Sequence, residues 1–196
     1  MSDKEKRSAV TDQHGQEPTR RDFIYIAAGG AAAVGGALTL WPFIDQMNPA
    51  ADTLALASIR VDTSPVETGQ QITVMWRGGP VFIRRRTQAE IEEALAVDIS
   101  ALPDGLARNE NLANDAPATD ENRRFTEDLL IMKGNCTHLG CVPLGEAGDY
   151  DGWYCPCHGS HYDTSGRIRR GPAPENLPVP PLRVADEANP AIVVIG

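Results

Sequence analysis

All four cysteines and three of the four histidines fall in one short stretch. It runs Cys136-Thr-His138-Leu139-Gly140-Cys141, then 13 residues, then Cys155-Pro-Cys157-His158-Gly-Ser160-His161-Tyr162-Asp163. Seven potential metal ligands within 26 residues are too many to be core packing. Two metal chemistries compete. Zinc would take four of these groups in a closed tetrahedron, usually from closely spaced cysteine pairs. Here each arm supplies one cysteine and one histidine, Cys136 with His138 and Cys155 with His158. That symmetry suits a two-iron cluster with two thiolates on one iron and two imidazoles on the other. Cys141 and Cys157 occupy matching places on the two arms and are disulfide candidates in a domain outside the cytoplasm. Such a bridge closes a loop of about 16 residues, worth roughly 3 kcal/mol through restriction of the unfolded chain.

The elements that must hold these arms read as short strands: Ser58–Thr63, Gln71–Trp76, Val81–Arg85, Leu129–Lys133 and Ala191–Ile195. Gly78-Gly79 reads as a hairpin turn. One helix is expected over Thr87–Ala96, opened by a capping box of Thr87 and Glu90. Residues Pro103–Glu121 are polar and acidic and read as an exposed insertion. No internal repeat is present, and the domain is expected to be mainly antiparallel β.

The chain has 196 residues, with 18 Lys and Arg against 27 Asp and Glu, a formal net charge of −9. That balance excludes a nucleic-acid binder, which needs a basic surface. The charge is unevenly spread. Residues 1–22 carry five basic and five acidic side chains, 23–44 none, and 45–196 the whole excess. As a helix the uncharged stretch spans roughly 33 Å, enough to cross a bilayer core of about 30 Å. Gly29 and Ala33, Ala31 and Gly35, and Ala32 and Gly36 put small residues at four-residue spacing, which favours close packing on partner helices in the membrane. Ahead of it, Thr19-Arg20-Arg21-Asp22-Phe23-Ile24 resembles a twin-arginine export signal, a route that carries folded, cofactor-loaded domains. Read instead as a simple charge anchor, the arginine pair still holds the N-terminus in the cytoplasm and places residues 45–196 outside. Ala55-Leu56-Ala57 fits a cleavage pattern, but it lies far past the apolar run, so a retained anchor is expected. Four parts result: a cytoplasmic tail 1–22, a transmembrane helix 23–44, a hinge or linker 45–57, and a domain 58–196.

The two arms resemble the Rieske [2Fe-2S] motif. With the twin-arginine anchor, the Ala-rich hinge and Gly171-Pro172-Ala173-Pro174, most of the chain is similar to the bacterial Rieske iron–sulfur subunits of the cytochrome bc complex, the quinol–cytochrome c reductase. The resemblance implies an all-β Rieske-type domain with antiparallel sheets and a small cluster-binding subdomain at about 133–181, tethered by one N-terminal transmembrane helix. It implies one [2Fe-2S] cluster per chain, with Cys136 and Cys155 on the inner iron and His138 and His158 on the exposed one. Cys141–Cys157 would clamp the arms, and Ser160 and Tyr162 would donate hydroxyl hydrogen bonds to the cluster and a ligand thiolate. His161 matches no ligand position and reads as structural, and His14 as a solvated bystander.

Two ferric ions, two sulfides and two thiolates sum to a neutral centre, which accepts an electron more readily than a four-thiolate one. Hydrogen bonds to the reduced form act in the same direction. Each is worth about 1.5–3 kcal/mol, or roughly 60–130 mV for one electron. The resemblance further implies that His158 couples proton to electron transfer from quinol. Leu139, Gly140, Gly171, Pro172, Ala173 and Pro174 would form an apolar rim that docks into the quinol pocket of cytochrome b. A c-type cytochrome would be the acceptor. The setting would be a dimeric, proton-translocating complex in the bacterial inner membrane, with the Rieske domain periplasmic. Competing readings are the small Rieske subunit of a periplasmic oxidase such as arsenite oxidase, a Rieske oxygenase component, and a membrane-tethered structural zinc module.

Overall fold

The computed structural model describes residues 19–48 and 57–196. The tail before Thr19, His14 with it, most of the expected hinge and Ala55-Leu56 of the cleavage pattern lie outside the described residues.

The N-terminal unit is one helix, α1 (Arg20–Asp45), of 26 residues. Thr19 caps it. Its hydroxyl accepts from the Asp22 N–H, and the Asp22 carboxylate accepts from the Thr19 N–H, satisfying two donors that a helix start leaves free. The arginine pair therefore sits in the first turn. At 1.5 Å per residue the helix is about 39 Å long, and it is long and apolar enough to cross a membrane. Phe23, Ile24, Leu38, Trp41 and Phe43 all stand exposed along it.

The second unit is built from three antiparallel sheets. Strands β1 (Ile59–Asp62), β2 (Gln71–Trp76), β3 (Gly79–Arg85) and β4 (Leu129–Lys133) precede the arms. Strands β5 (Leu144–Gly145), β6 (Trp153–Cys155), β7 (Ser160–Tyr162) and β8 (Ile168–Arg170) carry them, and β9 (Leu182–Asp186) and β10 (Asn189–Ile195) close the chain. The sheets run β1-β10-β9, β2-β3-β4 and β5-β6-β7-β8. The middle sheet explains the arrangement. Successive side chains of a strand point to opposite faces, and on β3 and β4 both faces are apolar. Val81, Ile83, Leu129 and Ile131 join Val193 and Ile195 in one core, while Phe82, Leu130 and Met132 join Trp153, Tyr162, Cys136 and Cys155 in the other. Phe82 and Trp153 stack with ring centroids 6.2 Å apart. The sheet that bears the arms is thus packed directly on the central sheet.

Helix α2 (Gln88–Leu95) has Thr87 as its cap and the expected box with Glu90. Two expectations need correction. The hairpin turn is Arg77-Gly78 rather than Gly78-Gly79, because Gly79 pairs with Trp76 as the first residue of β3. Both turn residues take positive φ, +48° and +76°, the left-handed pair whose twist matches that of the strands.

The segment 103–121 is exposed only in part: residues 110–115 stand in solvent, but the stretches on either side are anchored in the interior. Asp104, Ala107, Ala118 and Asp120 are buried. The Asp104 carboxylate accepts from the Asn176 N–H, and the Asn176 side chain donates to the carbonyls of Asp104 and Leu106. Asp120 pairs with the buried Arg86 at 2.5 Å. Polar composition misleads here because the acidic groups bury by pairing.

Burial pushes the Asp104 carboxyl up, but hydrogen bonds from Arg108, Asn176 and Leu106 prevail and hold it below its usual 3.8. A depressed carboxylate stabilises the fold fully above its unfolded pKa, and that stability is lost as pH falls through the folded value. Asp104→Asn should therefore flatten the loss of stability on acidification below pH 3.8, read by denaturant unfolding at stepped pH. An acid limb as steep as that of the wild type would contradict this.

Candidate metal centre

Each arm is a single tight turn. The carbonyl of Cys136 accepts from the Gly140 N–H at 2.8 Å, and that of Cys155 from the Gly159 N–H at 3.0 Å. Gly140 (φ +82°) and Gly159 (φ +75°) take the left-handed conformation that ends each turn, where a side chain would be strained. The first arm leaves β4, and the second joins β6 to β7. Cys141 and Cys157 are joined in a disulfide that locks the arms together.

Inside this clamp lie two buried, unbridged thiols, Cys136 and Cys155. Beside them the rings of His138 and His158 meet edge to face, centroids 4.5 Å apart. His138 is partly buried and His158 exposed. The buried Nδ1 of His138 has no hydrogen-bond partner. A polar nitrogen rarely stays orphaned in a protein interior, and this one is free to ligate a metal. Cys141, Cys155 and Cys157 also bring their sulfurs within 4.8 Å of one another. Two of those sulfurs are spent in the disulfide and are not thiolates, so they make no cation site. The residues able to hold a metal group are Cys136, Cys155, His138 and His158, and two thiols with two imidazoles fit an iron–sulfur centre.

The Tyr162 hydroxyl lies 3.3 Å from the Cys136 sulfur and donates to it. Burial raises the Cys136 thiol pKa, but hydrogen bonds from Tyr162 and the His138 N–H prevail and lower it. Burial and the same thiolate push the Tyr162 phenol upward, so it keeps its proton to donate. Ser160 is fully buried, and its hydroxyl accepts from the Ala173 N–H at 3.2 Å. Tyr162→Phe should lower the midpoint potential of a bound cluster by roughly 60–130 mV, the worth of one hydrogen bond to a charged group. A redox titration that finds no change would remove Tyr162 from this role.

The loop after β8 completes the site. At Gly171 (φ +110°) an added Cβ would lie 2.5 Å from the Gly159 carbonyl and from the Ser160 Cα, so only glycine lets this loop reach the second arm. Leu139 is 71% exposed at the tip of the first arm. Gly140, Gly171, Pro172 and Pro174 are exposed too. Ala173 is not part of that exposed rim. It is buried at 4% exposure in the core with Cys136 and Cys155, held inward by the bond from its N–H to Ser160. His161 lies apart from the ligand pair, its Nδ1 accepting from the Asp149 N–H at 3.1 Å and its ring against Tyr154. Thr137, between Cys136 and His138, is a site residue that the ligand motif does not mark. Its hydroxyl donates to the Glu175 carbonyl at 2.7 Å and ties the first arm to the third loop. A hydroxyl residue between two ligands was the only sign of it in the sequence.

Two Cys/His arms clamped by a disulfide on a small antiparallel sheet define a Rieske protein, and residues 112–181 match the family model of the Rieske [2Fe-2S] domain. Residues 10–50 match a second model, described as the ubiquinol–cytochrome c reductase Fe-S subunit TAT signal. The ubiquinol–cytochrome c reductase iron-sulfur subunit of Cereibacter sphaeroides is 58% identical over 172 residues, covering 86% of this chain and 92% of its own. That of Rhodospirillum rubrum is 55% identical, covering 93% and 94%, and that of Bradyrhizobium diazoefficiens 52%, covering 91% and 96%. The chain belongs to the family of ubiquinol–cytochrome c reductase iron–sulfur subunits. Its cofactor is a [2Fe-2S] cluster, and its N-terminal helix, long and apolar enough to cross a membrane, lies in the segment that matches the twin-arginine signal of these subunits. The oxidase, oxygenase and zinc readings are not favoured.

Proposed function

We propose that this subunit takes one electron from a quinol, with the proton taken at His158, and delivers it to a c-type cytochrome by movement of the tethered domain. The observation that carries this is the exposed His158 ring beside two buried thiols, with Leu139 projecting from the same tip. Cys136, Cys155, His138 and His158 would hold the cluster, the two thiolates on one iron and the two imidazoles on the other. When bound, the cluster supplies a one-electron acceptor of raised potential. The protein does the rest. Tyr162 favours added negative charge at Cys136, and the disulfide keeps the arms closed over the thiols. With one imidazole nitrogen on iron and the other free of its proton, exposed His158 would accept a hydrogen bond from the quinol hydroxyl and take its proton as the quinol gives up its electron. Leu139, Gly140, Gly171, Pro172 and Pro174 seat this tip against cytochrome b and exclude water.

Arg20 and Arg21 keep the start of α1 on the cytoplasmic side, which puts the domain in the periplasm of a bacterial inner membrane. The small-residue spacing of α1 suits packing on partner helices within a dimeric complex. Residues 45–57 serve as the hinge. A proline pair or a rigid insert between Ala50 and Ala57 should slow turnover of the complex while leaving the cluster spectrum intact. Turnover equal to wild type would show that the domain need not move.

A further inference from the structure

Beneath the arms lies a set of charged side chains that the chemistry above does not use. Arg86, Arg123 and Arg167 are essentially inaccessible to solvent, and so are Asp120 and Asp163. Two of the arginines are neutralised. Arg86 pairs with Asp120 at 2.5 Å and Arg167 with Asp163 at 2.7 Å. Arg123 forms no ion pair among the described residues. Its guanidinium donates only to backbone carbonyls: Ser165 at 2.7 Å, Leu177 at 2.7 Å, Gly166 at 3.2 Å, and Ala107. Burial lowers its pKa to about 10, so the charge persists at neutral pH. The buried arginines and carboxylates balance in number, but Arg123 alone of the four arginines has no carboxylate in contact.

That charge sits against the core of the site. Leu177, whose carbonyl it binds, packs in the same hydrophobic cluster as Cys136, Cys155 and Tyr162. Met132 of that cluster and the Arg123 guanidinium flank the same glycine, Gly166. An isolated buried charge is costly, and simple packing would not require one. In surroundings of low effective dielectric it also acts over a longer range than it would in water. An electron added alone, without a proton, would take the centre from zero to −1, so a buried positive charge nearby favours the reduced form.

We propose that Arg123 is a positioning residue whose buried charge, in contact with carbonyls and no carboxylate, raises the reduction potential of the cluster, while its contacts to the Ser165, Gly166 and Leu177 carbonyls fix segment 163–177 beneath the arms. This rests on the cluster being held by Cys136, Cys155, His138 and His158. Asp120 acts in the opposite sense, so the two charges can be removed separately. The test is a redox titration of the complex in membranes, followed by the electron paramagnetic resonance signal of the cluster, for wild type, Arg123→Met and Asp120→Asn. The amide in Asp120→Asn still accepts from Arg86 and Ser165. The expected result is a lower midpoint potential for Arg123→Met and a higher one for Asp120→Asn, with line shapes unchanged. Loosened packing would move both variants the same way. Shifts of one sign in both, or none in either, overturn the proposal. Should Arg123→Met fail to assemble a cluster, Asp120→Asn alone decides, since a potential that is not raised contradicts the charge effect. A wild-type complex without any high-potential signal would instead overturn the assignment of the site.

Discussion

Replacing His158 by alanine should abolish the high-potential centre and with it quinol oxidation, while replacing His161, three residues on, should leave both in place. The two rings have different surroundings. His158 faces His138 edge on at 4.5 Å beside the free thiols. The Nδ1 of His161 is already engaged by the Asp149 N–H, and its ring is packed on Tyr154. A ligand cannot be spared from a two-imidazole iron without losing the feature that raises the potential. Turnover should fall to background in His158→Ala, read by quinol-dependent cytochrome c reduction alongside the cluster spectrum. A spectrum that survives in His158→Ala and vanishes in His161→Ala would reassign the ligand.

The second large effect belongs to the disulfide. Cys141 and Cys157 are 16 residues apart in sequence and link the two arms. Cys141→Ser removes a constraint worth roughly 3 kcal/mol for a loop of this length, so the thermal midpoint of the domain should drop by on the order of 10 °C. The loss should reach the cluster too, because the first arm is otherwise held to its surroundings by single hydrogen bonds such as those from Thr137 to the Glu175 carbonyl and from Tyr162 to Cys136. Calorimetry and retention of the cluster spectrum check both effects. A variant as stable as wild type, with a full complement of cluster, would show that the clamp is dispensable.

How much of this was legible beforehand depended on whether the signal was local. The arms were plain because metal chemistry restricts residue type and spacing so tightly. The helix α2 and strands β1 to β4 were plain because capping and apolar runs are short-range patterns. The strands β5 to β8 were not. They are two or three residues long, too short for an alternating pattern to show, and their Trp153, Cys155, Tyr162 and Ile168 pack in one cluster with Phe82 and Met132. The buried residues of segment 103–121 escape local reading for a related reason. Its aspartates look solvated until Arg86 and Asn176, distant in sequence, meet them in the interior. Ala173 looked like part of an apolar rim because the sequence gives no sign that its N–H turns inward to Ser160. Long-range pairing, invisible to local reading, made each of these differences.

The central claim is that Cys136, Cys155, His138 and His158 hold a high-potential cluster that works on quinol. Its most direct test is low-temperature electron paramagnetic resonance on membranes, reduced first with ascorbate and then with dithionite, each with and without a quinol-site inhibitor. A rhombic signal already present with ascorbate, and altered in line shape by the inhibitor, is the expected result. A signal that appears only with dithionite would make the centre too low in potential for quinol, and no signal in either state would contradict the cluster itself.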